Sequence, residues 1–352
     1  MILHLINKET ALSTLAGHIK RHSLRLLASF PLALCLLAGL ALSACGDNGS
    51  ARASDKLKIV TTASFIDDWV REVGGERVDS FSLIPLGADP HTYQPGAGDV
   101  SRLADANIVF KLGLTFESSN FDRLLDNTVT DKTNLVALGE SVQPIPFEET
   151  HEEHVDEEEA EHDEEEEEGE HEEEHGKFDP HFWFDPLKVK DAVSKIADTL
   201  SQADSDGAAV YSRNAGRYIQ QLDELHEWIR QQVAQIPVER RLLITSHESL
   251  GYFAHRYEFE VAGAIIPSLS TEQEPSAQAI AHLVEEIKEH NARAIFAEST
   301  LSDRLAQNIA RDAGVKVVTK LYTESLGPSG SGADTYISMM RYNVQAIVHA
   351  LK

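Results

Sequence analysis

Three histidines and one aspartate sit where an ion could be held. His91 lies in Asp89-Pro90-His91-Thr92-Tyr93-Gln94-Pro95 and His181 in Asp179-Pro180-His181-Phe182-Trp183-Phe184-Asp185-Pro186. The tripeptide Asp-Pro-His thus occurs twice, and prolines on both sides restrict the backbone before any ligand arrives. His247 follows directly on the apolar run Leu242-Leu243-Ile244-Thr245-Ser246, and Asp334 closes the glycine-rich stretch Gly330-Ser331-Gly332-Ala333-Asp334. Taken singly, a histidine is most often solvated and a loop aspartate is most often a turn or a helix cap. The repeated tripeptide raises the first two above that background. Neutral imidazole is a borderline donor suited to zinc, and a carboxylate adds an oxygen and a negative charge. Three imidazoles and one carboxylate fill a tetrahedral shell with no position left for a reacting water. That chemistry holds a metal rather than using it. The two cysteines, Cys35 and Cys45, exclude a disulfide scaffold, and none lies beyond residue 45.

The elements that must position these residues read as one module written twice. Residues 57–61 form a buried strand, followed by a helix carrying Phe65, Trp69, Val70 and Val73, a strand over 78–85, a Gly/Pro loop over 87–98, a helix over 100–106 and a strand over 108–112. The same order returns as a strand over 242–246, a helix over 250–256, a strand over 261–267, a polar loop, a helix over 277–290 and a strand over 294–297. Alternating strands and helices predict parallel sheets flanked by helices, here two α/β lobes, with ligand sites at the carboxyl ends of strands. Between them Tyr211, Ala215, Tyr218, Leu222, Leu225, Ile229 and Val233 fall on one helical stripe that Pro237 ends. A helix from about 208 to 235 would run roughly 40 Å. It serves either as a strut across both lobes or as a surface helix of one.

The outer segments are of other kinds. Lys20, Arg21, His22 and Arg25 precede an apolar run over 26–42 that is broken near its start by Pro31. That is an export signal rather than a membrane span. It ends in Leu42-Ser43-Ala44-Cys45, which is similar to the lipobox of bacterial lipoproteins and implies cleavage before Cys45 and its lipidation. Residues 46–55 then read as a tether. Residues 148–175 hold 19 Asp/Glu, 5 His (His151, His154, His162, His171, His175) and no Lys or Arg. Without those 19 carboxylates the formal charge of −27 falls to −8. The acidic balance argues against nucleic acid as a partner. His171-Glu172-Glu173-Glu174-His175 matches the H-E-x-x-H pattern of metalloproteases, but with no apolar face it cannot form the buried helix such a site needs. The run is either an auxiliary metal-binding loop or a solvating spacer.

From residue 57 to its end the chain resembles the metal-binding solute receptors of ABC importers, the cluster A-I zinc/manganese type. The resemblance rests on the two motifs around His91 and His181, on Thr245-Ser246-His247-Glu248-Ser249-Leu250-Gly251-Tyr252-Phe253, on Phe296-Ala297-Glu298-Ser299, and on Gly332-Ala333-Asp334-Thr335-Tyr336 with Met339-Met340-Arg341-Tyr342-Asn343. It implies two α/β lobes joined by one long backbone helix, with metal in the interlobe cleft and His91, His181, His247 and Asp334 as ligands. Glu298 is the alternative ligand or a partner that orients one. It also implies no enzymatic role, delivery of the ion to an ABC permease, and an extracytoplasmic position on the membrane through the Cys45 lipid. Zinc is the expected ion and manganese the alternative, since manganese-type members carry glutamate where His247 stands. The implied organisation is a signal peptide over 1–44, a tether over 45–55, a first lobe over 56–147, the acidic loop over 148–176, the His181 segment over 177–204, the linking helix over 205–236 and a second lobe over 237–352, acting as a monomer. Capture needs neutral imidazoles, so affinity should fall as pH drops through about 6.5. A zinc hydrolase using the same ligands is the competing class, and would need an open coordination position and a base, for which Glu298 is conceivable. Adhesion, described for surface lipoproteins of this kind, would coexist with transport.

Overall fold

A computed structural model describes residues 56–131, 134–147 and 178–352. Cys45, the signal segment and the five histidines of the acidic run lie outside these residues. Residues 54–352 form one compact unit.

The first sheet is built from β1 (Leu57–Thr61), β2 (Val78–Ser82), β3 (Ile108–Lys111) and β4 (Leu135–Ala137), in the spatial order β2-β1-β3-β4. The second is built from β5 (Leu242–His247), β6 (Glu260–Ile266), β7 (Ala294–Glu298) and β8 (Lys316–Leu321), in the order β6-β5-β7-β8. All pairings are parallel and the two orders are the same. The duplicated module is therefore real, with one more strand per lobe than the pattern predicts. Both extra strands, β4 and β8, are edge strands.

Alternation along each strand sorts side chains to two faces. In the first sheet Ile59, Ile108 and Phe110 join the main core, while Val60 and Val109 face an outer cluster. That outer cluster holds Leu103 of α2 (Ala97–Asp105) and Phe121 and Leu125 of α3 (Ser119–Thr128). In the second sheet Leu243 and Phe296 join the main core, while Ile244 and Ile295 pack on Leu283 and Ile287 of α7 (Ala277–Glu289) and Ile309 of α8 (Arg304–Ala313).

The main core is shared. It contains the buried faces of α1 (Ser64–Gly74), α4 (Pro186–Ala203), α5 (Ala208–Val233), α6 (Gly251–Tyr257) and α9 (Tyr336–Leu351). The helix α5 buries Tyr211, Ala215, Tyr218, Leu222, Leu225, Ile229 and Val233, the stripe read from its periodicity. It lies along α4 and packs against α1 on one side and α9 on the other, so it is the strut between lobes. Asp185 caps α4 by accepting from Leu187 N at 3.0 Å, with Pro186 in the first turn. The Asp185 carboxylate also accepts from Arg256 of α6, which ties α4 to the second lobe. Among the described residues no helix is long and apolar enough to cross a membrane.

Candidate metal centre

The two Asp-Pro-His tripeptides fold the same way for a local reason. Asp89 Oδ1 accepts from the His91 backbone N at 3.0 Å, and Asp179 Oδ1 accepts from that of His181 at 2.8 Å. Each aspartate thus closes an Asx turn over a proline that fixes the middle of the turn, and the histidine leaves it in a set direction. The Asp179 carboxylate also meets His181 Nδ1 at 2.7 Å. His91 is held differently: its ring bonds the Phe116 backbone. His247 ends β5, where Glu298 at the end of β7 accepts from its backbone N at 3.1 Å and its Nδ1 at 2.7 Å. His181 and His247 are therefore held through Nδ1, directing Nε2 inward.

The inward atoms meet one another and a fourth residue. His91, His181, His247 and Glu324 offer donor atoms that all lie within 4.8 Å of one another, and all four residues are buried. His247 Nε2 is 3.3 Å from His181 Nε2. Glu324 Oε1 stands 3.5 Å from His247 Nε2 and 3.6 Å from His181 Nε2, and Oε2 stands 3.8 Å from His91 Nε2. A tetrahedral ion with bonds of about 2.0–2.1 Å has ligand–ligand edges of about 3.3–3.4 Å. The observed spacings start at that edge and extend beyond it, close enough for the four donors to draw in around a single ion. His91 Nε2, Glu324 Oε1 and Glu324 Oε2 are buried without any hydrogen-bond partner. Leaving such atoms unsatisfied is costly, and a cation satisfies all three together.

Aromatic rings wall the site. Phe116 packs edge-on against His91 at 5.3 Å and against Trp183 at 5.2 Å, and Trp183 packs against His181 at 5.1 Å. This enclosure sets the electrostatics. Burial, reinforced by the neighbouring imidazoles, holds His91 and His181 well below the ordinary histidine range, so both stay neutral. Burial also works against a charge on His247, but the Glu298 carboxylate outweighs it and raises that imidazole to about 9. Burial pushes the Glu324 carboxyl well up. It pushes Asp179 up to about 7, against the hydrogen bond from the His181 backbone.

The structure brings together His91, His181 and His247 of the sequence-predicted set but not Asp334. Asp334 is exposed, and its Oδ2 accepts from Gly330 N at 3.1 Å. It closes a turn ahead of Thr335, the residue that caps α9. The fourth donor is Glu324, three residues past β8. Glu298 is the partner that orients His247 rather than a donor: its second oxygen is taken by Thr323 Oγ1. The signal for Glu324 was the rule applied to His247, that ligands gather at carboxyl ends of strands. The sequence pattern does not mark β8 as a strand, so the rule has no strand end to apply to there.

Two α/β lobes on a common helical strut, with a buried three-histidine, one-carboxylate cage drawn from both, define a receptor for a divalent metal ion. The sequence matches the family described as "ZnuA: Zinc-uptake complex component A periplasmic" over residues 59–350. It is 32% identical over 318 residues to the manganese-binding lipoprotein MntA of Halalkalibacterium halodurans, covering 90% of this chain and 96% of that one. It is 30% identical over 325 residues to the metal ABC transporter substrate-binding lipoprotein SsaB of Streptococcus sanguinis, covering 91% and 97%. Among solved structures, the periplasmic zinc binding protein TroA from Treponema pallidum superposes with a TM-score of 0.73 at 27% identity, covering 84% of this chain and 99% of that one. The chain belongs to this family, the metal-binding solute receptors of ABC importers.

Proposed function

We propose that the chain captures Zn2+ outside the cytoplasmic membrane, held there by a lipid on Cys45, and delivers it to the permease of an ABC importer. The observation that carries this reading is the set of buried, unpartnered donors: His91 Nε2 and both oxygens of Glu324, within shell distance of His181 and His247. Three imidazole nitrogens and one oxygen suit zinc better than manganese, which prefers harder donors. Manganese is the second reading, because relatives such as MntA are named for it.

The chain's own groups do three things in capture. Asp179, Glu298 and the Phe116 backbone fix the rings so that Nε2 lone pairs converge, which removes the cost of orienting them on binding. Phe116 and Trp183 exclude water, so the ion exchanges its hydration shell for a complete protein one. Glu324 supplies the one carboxylate among the four donors. Release follows from where the donors are rooted. His91 belongs to the first lobe, while His247 and Glu324 belong to the second, so parting the lobes divides the shell. Glu298, the base conceivable for a hydrolase, spends its oxygens on His247 and Thr323.

Metal analysis of protein purified without added chelator, followed by competition titration of Zn2+ against Mn2+, tests the reading. Zinc should win in the wild type, and His247→Ala should lose zinc affinity by at least about 100-fold with the fold intact. Near-normal zinc affinity in that variant removes the site.

A further inference from the structure

The three imidazoles have unequal outer partners. Among the described residues, His181 has the Asp179 carboxylate and His247 has the Glu298 carboxylate, but His91 has a backbone group of Phe116. Phe116 belongs to the loop that leaves β3, in which three successive residues, Gly113, Leu114 and Thr115, have φ of 81°, 57° and 62°. Two of them are not glycine, and side-chain-bearing residues keep such a backbone only where surrounding contacts impose it. The contacts converge on Glu117, which is 2% exposed. Its Oε1 accepts from Leu112 N at 2.7 Å and from Thr62 Oγ1 at 2.7 Å, and its Oε2 accepts from Gly113 N at 3.0 Å.

The second lobe has the counterpart. Aligning Leu57 of β1 with Leu242 of β5 sets Thr62 opposite His247. Glu298 spans from β7 to His247 at the end of β5, and Glu117 spans from beyond β3 to Thr62 at the end of β1. Each is a buried glutamate at the two central strands of its sheet. In the second lobe it touches the metal-binding imidazole directly. In the first it touches the loop that does so.

We propose that Glu117 is the positioning residue for His91: by holding Leu112 and Gly113 it fixes the left-handed turn that sets the Phe116 backbone against the His91 ring. It does for His91, one step removed, what Glu298 does for His247. This rests on the metal-centre reading above. Glu117 is outside the set of four donors, and the prediction concerns how well His91 is aimed.

Full-length Glu117→Gln keeps the shape but sets an amide N–H2 against the Gly113 N–H, and titration uses Zn2+ itself with a competing chelator. The expected result is a 10- to 100-fold loss of zinc affinity in the wild-type background and less than about threefold in a His91→Ala background. A residue that merely stabilises the first lobe would cost the same factor in both. Equal losses in the two backgrounds, or no loss in either, overturn the proposal. Thr62→Val removes one hydrogen bond and leaves both backbone ones. It should lose a smaller factor, again only where His91 is present, and it carries the same comparison where Glu117→Gln does not fold. His247→Ala run alongside separates the two readings. Should it retain zinc, the metal centre fails; should it lose zinc while Glu117→Gln does not, only this inference fails.

Discussion

At the scale of single residues, two carboxylates ten positions apart divide structural from ligating duty. Glu324 is buried with both oxygens unpartnered, whereas Asp334 is exposed and spends its carboxylate on the Gly330 N–H. Glu324→Gln should therefore cut zinc affinity by roughly 100-fold or more, and Asp334→Asn should leave it within about threefold, both read by chelator competition. The reverse order would return the fourth position to Asp334. His91 and His181 were legible because Asp-Pro-His is a local device: an Asx turn over a proline needs only neighbours in sequence. Glu324 was not legible, because nothing local distinguishes Thr323-Glu324-Ser325 from a solvated loop. Its burial comes from distant partners, with Trp183 Nε1 donating to Thr323 O and Gly87 N donating to Ser325 Oγ.

At the scale of elements, β8 shows how a strand hides. It pairs with β7 in regular register from Lys316 to Val318, then a bulge falls before Leu321, where Lys320 adopts φ 68°. One added residue exchanges the two faces of a strand, so inward and outward positions no longer alternate through it. A second element-scale device joins α1 to α9: Asp68 accepts from Tyr336 N at 2.9 Å, at the first turn of α9, and lies 3.5 Å from the Tyr218 hydroxyl of α5. Burial raises its carboxyl from 3.8 to about 6, despite the hydrogen bond from Tyr336. Between those values the folded chain binds more protons than the unfolded one, so stability falls as pH rises through the window. Ionisation costs the folded state up to about 3 kcal/mol there. Asp68→Asn keeps an acceptor for Tyr336 N and removes the titration, so between pH 4 and 6 its thermal midpoint should decline less than that of the wild type. Parallel declines would assign the pH dependence to another group.

For the whole molecule, hydrogen bonds that cross between the lobes among the described residues include Gly87 N to Ser325 Oγ and Leu326 N to Ser64 Oγ, each 2.9 Å, and Thr271 Oγ1 to Asp89 Oδ2. A metal ion held by His91, His247 and Glu324 would add a further tie between the lobes. The acidic histidine run is a separate question of scale. With 5 His and 19 carboxylates it has the composition to gather cations weakly, and it adjoins the segment bearing His181. Deleting residues 148–175 should leave the one tight zinc equivalent unchanged and remove further, weaker equivalents seen by titration at micromolar zinc. A tenfold change in the tight equivalent would make the run part of the cage.

What the sequence determined alone was whatever depends on neighbours along the chain: the periodic stripe of α5, the alternation of strand and helix, the Asp-Pro-His turns, and the resemblance these motifs carry. Tertiary structure decided what depends on approach through space. Glu324, rather than Asp334, faces three imidazoles in a segment held by groups more than a hundred residues away. A carboxylate becomes a metal donor only where its surroundings strip it of water and other partners, and that property belongs to the packed molecule.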